Sequence, residues 1–176
     1  KPTNWKSYIV YTISPDTIYS MRKGIVVKIT NEYKADTLLE KRFTSKRNSI
    51  VIEHSDGTYA SYTGFKKDSI FVELGQIAYP QTKLGIIDVF NNGQYRLSFS
   101  IYYLINNNLD FKEKQTLKNV KSRNKFLTPY FSTEHGIIKL TPNKKYIVAF
   151  NEPILFKELT KREKKKYKKN PNIFDW

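Results

Sequence analysis

A chain of 176 residues with 31 Lys/Arg against 16 Asp/Glu carries a formal charge of +15, enough to attract nucleic acid, anionic lipid headgroups, lipopolysaccharide or teichoic acid. Its length suits one domain with an appendage. It has no cysteine, which excludes disulfides, thiolate zinc sites and a cysteine nucleophile. No apolar run approaches the roughly 20 residues that would cross a bilayer as a helix. The chain opens on Lys1 rather than Met, so a processed chain or a piece cut from a longer one is expected, with any signal peptide or lipid anchor outside it.

In chain order, alternating or β-branched runs predict strands at Tyr8–Ile13, Gly24–Thr30, Ser49–Glu53, Tyr59–Phe65, Ser69–Glu73, Lys83–Val89, Tyr95–Leu104, Gly136–Leu140 and Lys145–Phe150. Turn signals separate them at Ser14-Pro15-Asp16, Ser55-Asp56-Gly57, Asn91-Asn92-Gly93 and Thr141-Pro142-Asn143. The polar stretch Asn31–Arg47 reads as a hairpin tip or insertion loop. Along Tyr95–Leu104, residues Tyr95, Leu97, Phe99 and Ile101 share a face expected in the core, while Arg96, Ser98, Ser100 and Tyr102 share the other.

After Leu104 the composition shifts to Lys and Asn through Lys125, followed by Phe126–Phe131 and a strand pair within 136–150. Helical spacing appears at Leu155–Lys168, with Ile154, Leu155 and Leu159 as an apolar stripe. From Lys157 to Lys169, eight Lys/Arg face Glu158 and Glu163, a net of +6. That run is read first as a solvated helix, with a polyanion-binding element as the alternative. Short strands at regular spacing imply a sandwich or barrel. The expected organisation is a β domain over 1–104 and, over 105–176, an appendage of linker, strand pair and basic helix packed on it.

The proline-led turn Ser14-Pro15-Asp16 with Thr17-Ile18-Tyr19-Ser20 precedes Gly24-Ile25-Val26-Val27. A strand ending in Glu53-His54 before Ser55-Asp56-Gly57 follows. Then come Tyr62-Thr63-Gly64-Phe65, Leu74-Gly75-Gln76, Leu84-Gly85 and Arg96-Leu97-Ser98-Phe99-Ser100-Ile101. In this order the motifs over Pro15–Ile101 resemble the lysostaphin/LytM-type zinc peptidases, peptidoglycan endopeptidases. Tyr62-Thr63-Gly64-Phe65 stands where the family has Tyr-Ala-His-Leu, and Arg96–Ile101 where it has His-Leu-His-Phe-Glu-Val. The resemblance covers a little over half of the chain. It implies a mainly β fold, a β-sandwich or barrel-sandwich hybrid (the duplicated hybrid motif), with a substrate groove on one sheet face.

Carried over residue by residue, the family's chemistry is missing. Ser7 and Tyr11 fall on the first two zinc ligands, Ser98 on the third, and Gly64 and Arg96 on the two other catalytic histidines. Catalytic zinc takes three protein ligands and an open position for water, and this chain has only two histidines, His54 and His135. His54 matches a non-ligand position and is expected to tie its hairpin by hydrogen bonds, while His135 is expected in a loop. No metal or other cofactor is expected. Tyr62 is expected as a groove aromatic beside Tyr11, Arg96 and Ser98.

Other chemistry finds little footing. Glu53 and His54 are adjacent on a strand and point to opposite faces, which does not make a triad with Ser61 or Ser98. No glycine-rich phosphate loop occurs, and Glu73 with Asp88 is a carboxylate pair no better than chance. The expectation is a non-catalytic LytM-like module of a bacterial cell envelope, extracytoplasmic or periplasmic. Its expected partners are peptidoglycan, a peptidoglycan hydrolase or an envelope assembly component, with an anionic envelope polymer at the basic tail. A basic β-rich nucleic-acid-binding module is the alternative, since Tyr or Phe beside Lys/Arg is how single-strand binders stack bases.

Overall fold

A computed structural model describes residues 7–34, 46–90, 93–105 and 124–171. Among these residues the protein is mainly β, with ten strands in one antiparallel sheet, a separate two-stranded hairpin and two C-terminal helices. The main path of the sheet runs β1 (Tyr8–Thr12), β9 (Gln94–Leu104), β5 (Tyr59–Ile70), β4 (Asn48–Glu53), β3 (Gly24–Thr30) and β6 (Ile77–Ala78). Off this path, β2 (Thr17–Tyr19) pairs β7 (Lys83–Ile87), which also pairs β5; β8 (Val89–Phe90) and β10 (Asn124–Leu127) pair β9. The last hairpin joins β11 (Phe131–Thr133) to β12 (Gly136–Ile138).

The period-2 alternation of β9 organises the core. Leu97, Phe99 and Ile101 are buried with Tyr62 and Ala60 of β5 and Ile50 and Ile52 of β4, because directly opposed residues of antiparallel strands share a face. Tyr62 faces Phe99 in register, ring centroids 5.0 Å apart. Asn48, also buried, satisfies all four of its hydrogen-bonding valences. Its Oδ1 accepts from the backbone N–H of Glu32 and Tyr33, each 2.9 Å away, and its Nδ2 donates to the carbonyls of Tyr33 (2.7 Å) and Phe65 (3.1 Å). An apolar residue there would leave several backbone groups without a partner.

Gly64 is where β5 changes neighbours. Ser49 opposes Thr63 and Asn48 opposes Phe65, so Gly64 is the extra residue of a bulge. Before it β5 pairs β9; at Phe65 it pairs Ile87 of β7. Its φ of +124° lies in a region that L side chains rarely adopt, and a Cβ there would clash with the Arg96 carbonyl oxygen. The bulge carbonyl accepts the Asp88 N–H at 2.8 Å.

The expected single helix is two, α1 (Glu152–Glu158) and α2 (Lys161–Lys169). Thr160 interrupts them and caps α2 in a reciprocal box with Glu163, the Thr-x-x-Glu pattern that starts a new helix. Leu155 and Leu159 pack with Tyr79, Phe156 and Tyr167. Acidic side chains lock the pair to the sheet: Glu158 accepts from Arg22 Nε at 2.9 Å, and Glu163 from Lys23 Nζ at 2.7 Å and from Tyr79 Oη at 2.6 Å. Arg22 also donates to Asp56 at 2.8 Å, so the β4–β5 turn and the helices hold one guanidinium between them.

Several expected boundaries shift. Ser69–Glu73 is not a separate strand, because β5 runs on to Ile70. Lys83–Val89 breaks at Asp88 into β7 and β8, and Lys145–Phe150 forms only a bridge between Thr133 and Val148. Residues 35–45 of the Asn31–Arg47 loop and 106–123 of the Lys/Asn-rich linker lie outside the described residues. In urea unfolding, Gly64→Ala should cost roughly 2–4 kcal/mol through strain and overpacking together. Gly57→Ala, also at positive φ but with nothing within 4 Å, should cost only about 1 kcal/mol; equal costs would mean that the close approach at Arg96 is immaterial.

Candidate functional site on β1, β5 and β9

Tyr11 lies directly opposite Arg96 in the β1–β9 register, and Ser98 opposite both Ile9 of β1 and Thr63 of β5. Opposed residues project to one side, so Tyr11, Arg96 and Ser98 share the face of β9 turned away from Leu97 and Phe99. Arg96 Nη2 donates to Ser98 Oγ at 3.4 Å. Gly64 meets the same strand through its backbone, against the Arg96 carbonyl. Ser7 is exposed immediately before β1, next to Tyr8, whose partner is Phe99. Four of the five expected positions therefore meet on neighbouring strands, and Ser7 stands at the end of the same edge strand.

Tyr62 does not line this face. It is 0% exposed, on the core side of β5, and its hydroxyl accepts the Met21 N–H at 3.1 Å. Burial pushes its phenol up to about 12. The physical reason is the period of the strand: Tyr62 faces Phe99, whereas its neighbour Thr63 faces Ser98. Tyr11, by contrast, is 56% exposed on the edge strand.

Three residues that carried no groove assignment in the sequence complete the surroundings. Phe90 of β8 holds the Arg96 guanidinium 4.1 Å from its ring centroid and the Arg47 guanidinium 3.9 Å from it. Asp88, one residue before β8, donates its N–H to Gly64 and uses its own carboxylate to accept the Val89 N–H at 2.8 Å. Burial lowers the Arg47 pKa, and the positive charge of Arg96 lowers it further, while Asp88 opposes both. No local spacing announces this cluster, because Arg47 precedes β4 and Phe90 belongs to a hairpin with β9.

His54 is a hairpin residue. Its N–H donates to the Thr58 carbonyl at 2.8 Å, and its own carbonyl accepts from Gly57 at 3.0 Å. Thr58 Oγ1 spends its only proton on Asp56 Oδ1 at 2.6 Å, so at the 3.0 Å contact with Thr58 the His54 Nδ1 carries the hydrogen. Nε2 is then a bare acceptor, buried with no hydrogen-bond partner among the described residues. His135 is exposed in the β11–β12 turn. Among the described residues, no three His, Asp or Glu side chains are grouped so as to hold a metal ion.

No family model and no curated protein matches the chain.

Burial, reinforced by the Arg22 charge and opposed by Asp56, pulls the His54 imidazole from 6.5 down to about 4. Between those values the unfolded chain binds a proton that the folded chain refuses. Stability should therefore fall as pH drops through that window, by up to about 3 kcal/mol, and be fully present above it. Burial raises Glu163, but hydrogen bonds from Lys23, Tyr79 and Thr160 outweigh it and bring its carboxyl from 4.5 to about 2, so the loss from that group comes at lower pH. Denaturation across pH should show the upper loss in the parent and not in His54→Gln. The His54 resonance should titrate near 4; a midpoint near 6.5 would contradict the buried neutral ring.

Proposed function

We propose that the chain is a degenerate lysostaphin/LytM-type domain, a β-sandwich or barrel-sandwich hybrid, that binds and does not cleave. It serves in a bacterial cell envelope, outside the cytoplasm, as a binding, regulatory or scaffold module. Its partner is peptidoglycan, a peptidoglycan hydrolase or an envelope assembly component. The observation that carries this reading is the meeting of Tyr11, Gly64, Arg96 and Ser98 across β1, β5 and β9, from positions far apart in the chain.

The residues there do not fit the zinc ion of the resemblance. A phenol, two serine hydroxyls and a glycine replace imidazole and carboxylate, and zinc sites are built from thiolate, imidazole and carboxylate donors. The fixed charge of Arg96 also opposes a dication at close range. What remains is a polar, cationic and aromatic surface suited to recognition.

The basic helix supports a second contact. In α2 the one acid, Glu163, is turned onto Lys23 and Tyr79, and Glu158 of α1 onto Arg22. The lysines of α2 thus lose their local counter-charges, which favours an anionic envelope polymer. The same charge would suit nucleic acid, and competition by oligonucleotide of defined sequence separates the two.

Purified protein should carry no stoichiometric zinc, leave muropeptides intact, and sediment with peptidoglycan sacculi. Tyr11→Ala and Arg96→Ala should each weaken sedimentation severalfold while the thermal midpoint stays close to that of the parent. Stoichiometric zinc with muropeptide cleavage would overturn the pseudo-peptidase reading. Sequence-dependent oligonucleotide binding that survives raised salt, with no sacculus binding, would favour the nucleic-acid module.

A further inference from the structure

We infer that Arg47 and Arg96, both held against the Phe90 ring, form a binding site for a phosphate or carboxylate oxyanion. The inference deepens the groove reading above, since Arg96 belongs to both, by naming the chemistry that the surface recognises.

Both guanidinium carbons stand over the same ring, 3.9 and 4.1 Å from its centroid, so Phe90 anchors two cations side by side on one platform. A guanidinium seated over a ring can still donate from the N–H groups of its fork, which match the two oxygens of a carboxylate or phosphate. Both arginines are half-buried, so water screens their mutual repulsion less than it would at the surface.

Among the described residues little balances these charges: neither arginine forms an ion pair, and the three that occur belong to Arg22 and Lys23. Asp88 eases Arg47 electrostatically without forming an ion pair with it. Folding thus holds two like charges together, oriented and partly dried, and an anion is the counterpart that relieves them. Ser98 Oγ, already 3.4 Å from Arg96 Nη2, and the exposed Tyr11 opposite Arg96 add hydroxyls on the same face.

Titrating the full chain with inorganic phosphate and with N-acetyl-alanine, and following the arginine Nε–Hε NMR signals, tests the site. The expected result is saturable shifts at Arg47 and Arg96. Affinity should fall about tenfold or more in Arg47→Gln and in Arg96→Gln, and stay unchanged in Lys144→Gln, a surface control of equal charge change. Phe90→Leu should weaken binding by removing the platform while both arginines remain. Phosphate preference would point to a phosphodiester polymer and carboxylate preference to a peptide end. Non-saturating shifts, shifts confined to the lysines of α2, or parent-like affinity in both arginine variants would overturn the inference. The wild-type signals decide the matter even if a variant fails to fold. Sacculus binding without anion binding would sink this inference and leave the proposed function standing; the reverse result would sink only the latter.

Discussion

The close approach of β5 and β9 at Gly64 is the constraint on which the rest depends. A backbone with φ of +124° against the Arg96 carbonyl lets β5 leave β9 and reach β7 without a gap in the sheet. The same bulge offers its carbonyl to Asp88, which sets the start of β8 and so the position of Phe90. Phe90 in turn holds Arg47 and Arg96. One residue without a side chain therefore links the closure of the core to the charged face above it.

A second constraint joins the ends of the chain. Arg22 binds Asp56 of the β4–β5 turn and Glu158 of α1, and Lys23 binds Glu163 of α2. The pairs to Glu158 and Glu163 are partly buried, and the network shares hydrogen bonds with Tyr79 and Thr58, which makes them worth more than isolated surface pairs. They also turn acids inward and leave lysines outward. Docking the helices and building a basic surface are the same event.

Much of the core was legible in the sequence, because alternation on β9 and the Ser55-Asp56-Gly57 turn state their geometry locally. Leu97, Phe99 and Ile101 fall inside as their period requires. Tyr62 was open to the same reasoning: counted with Ala60, it belongs to the core face, and only the resemblance drew it towards the groove. The break at Thr160 was also written in the chain, as Thr-x-x-Glu, beneath a continuous run of lysines that hid it. The short strands β2 and β6 carry too few residues to show a period. Arg47, Phe90 and Asp88 gave no signal, since only the fold brings them together.

The chain assembles a face from three distant segments and equips it with arginine, tyrosine and serine, where the resemblance leads one to look for zinc ligands and catalytic histidines. We propose that this face recognises an envelope ligand without reacting with it. Mapping backbone amide shifts during titration with a soluble muropeptide tests it most directly. Perturbations should centre on Tyr11, Arg47, Arg96 and Ser98, with the muropeptide recovered intact. Perturbations restricted to α2, or a cleaved muropeptide, would contradict it.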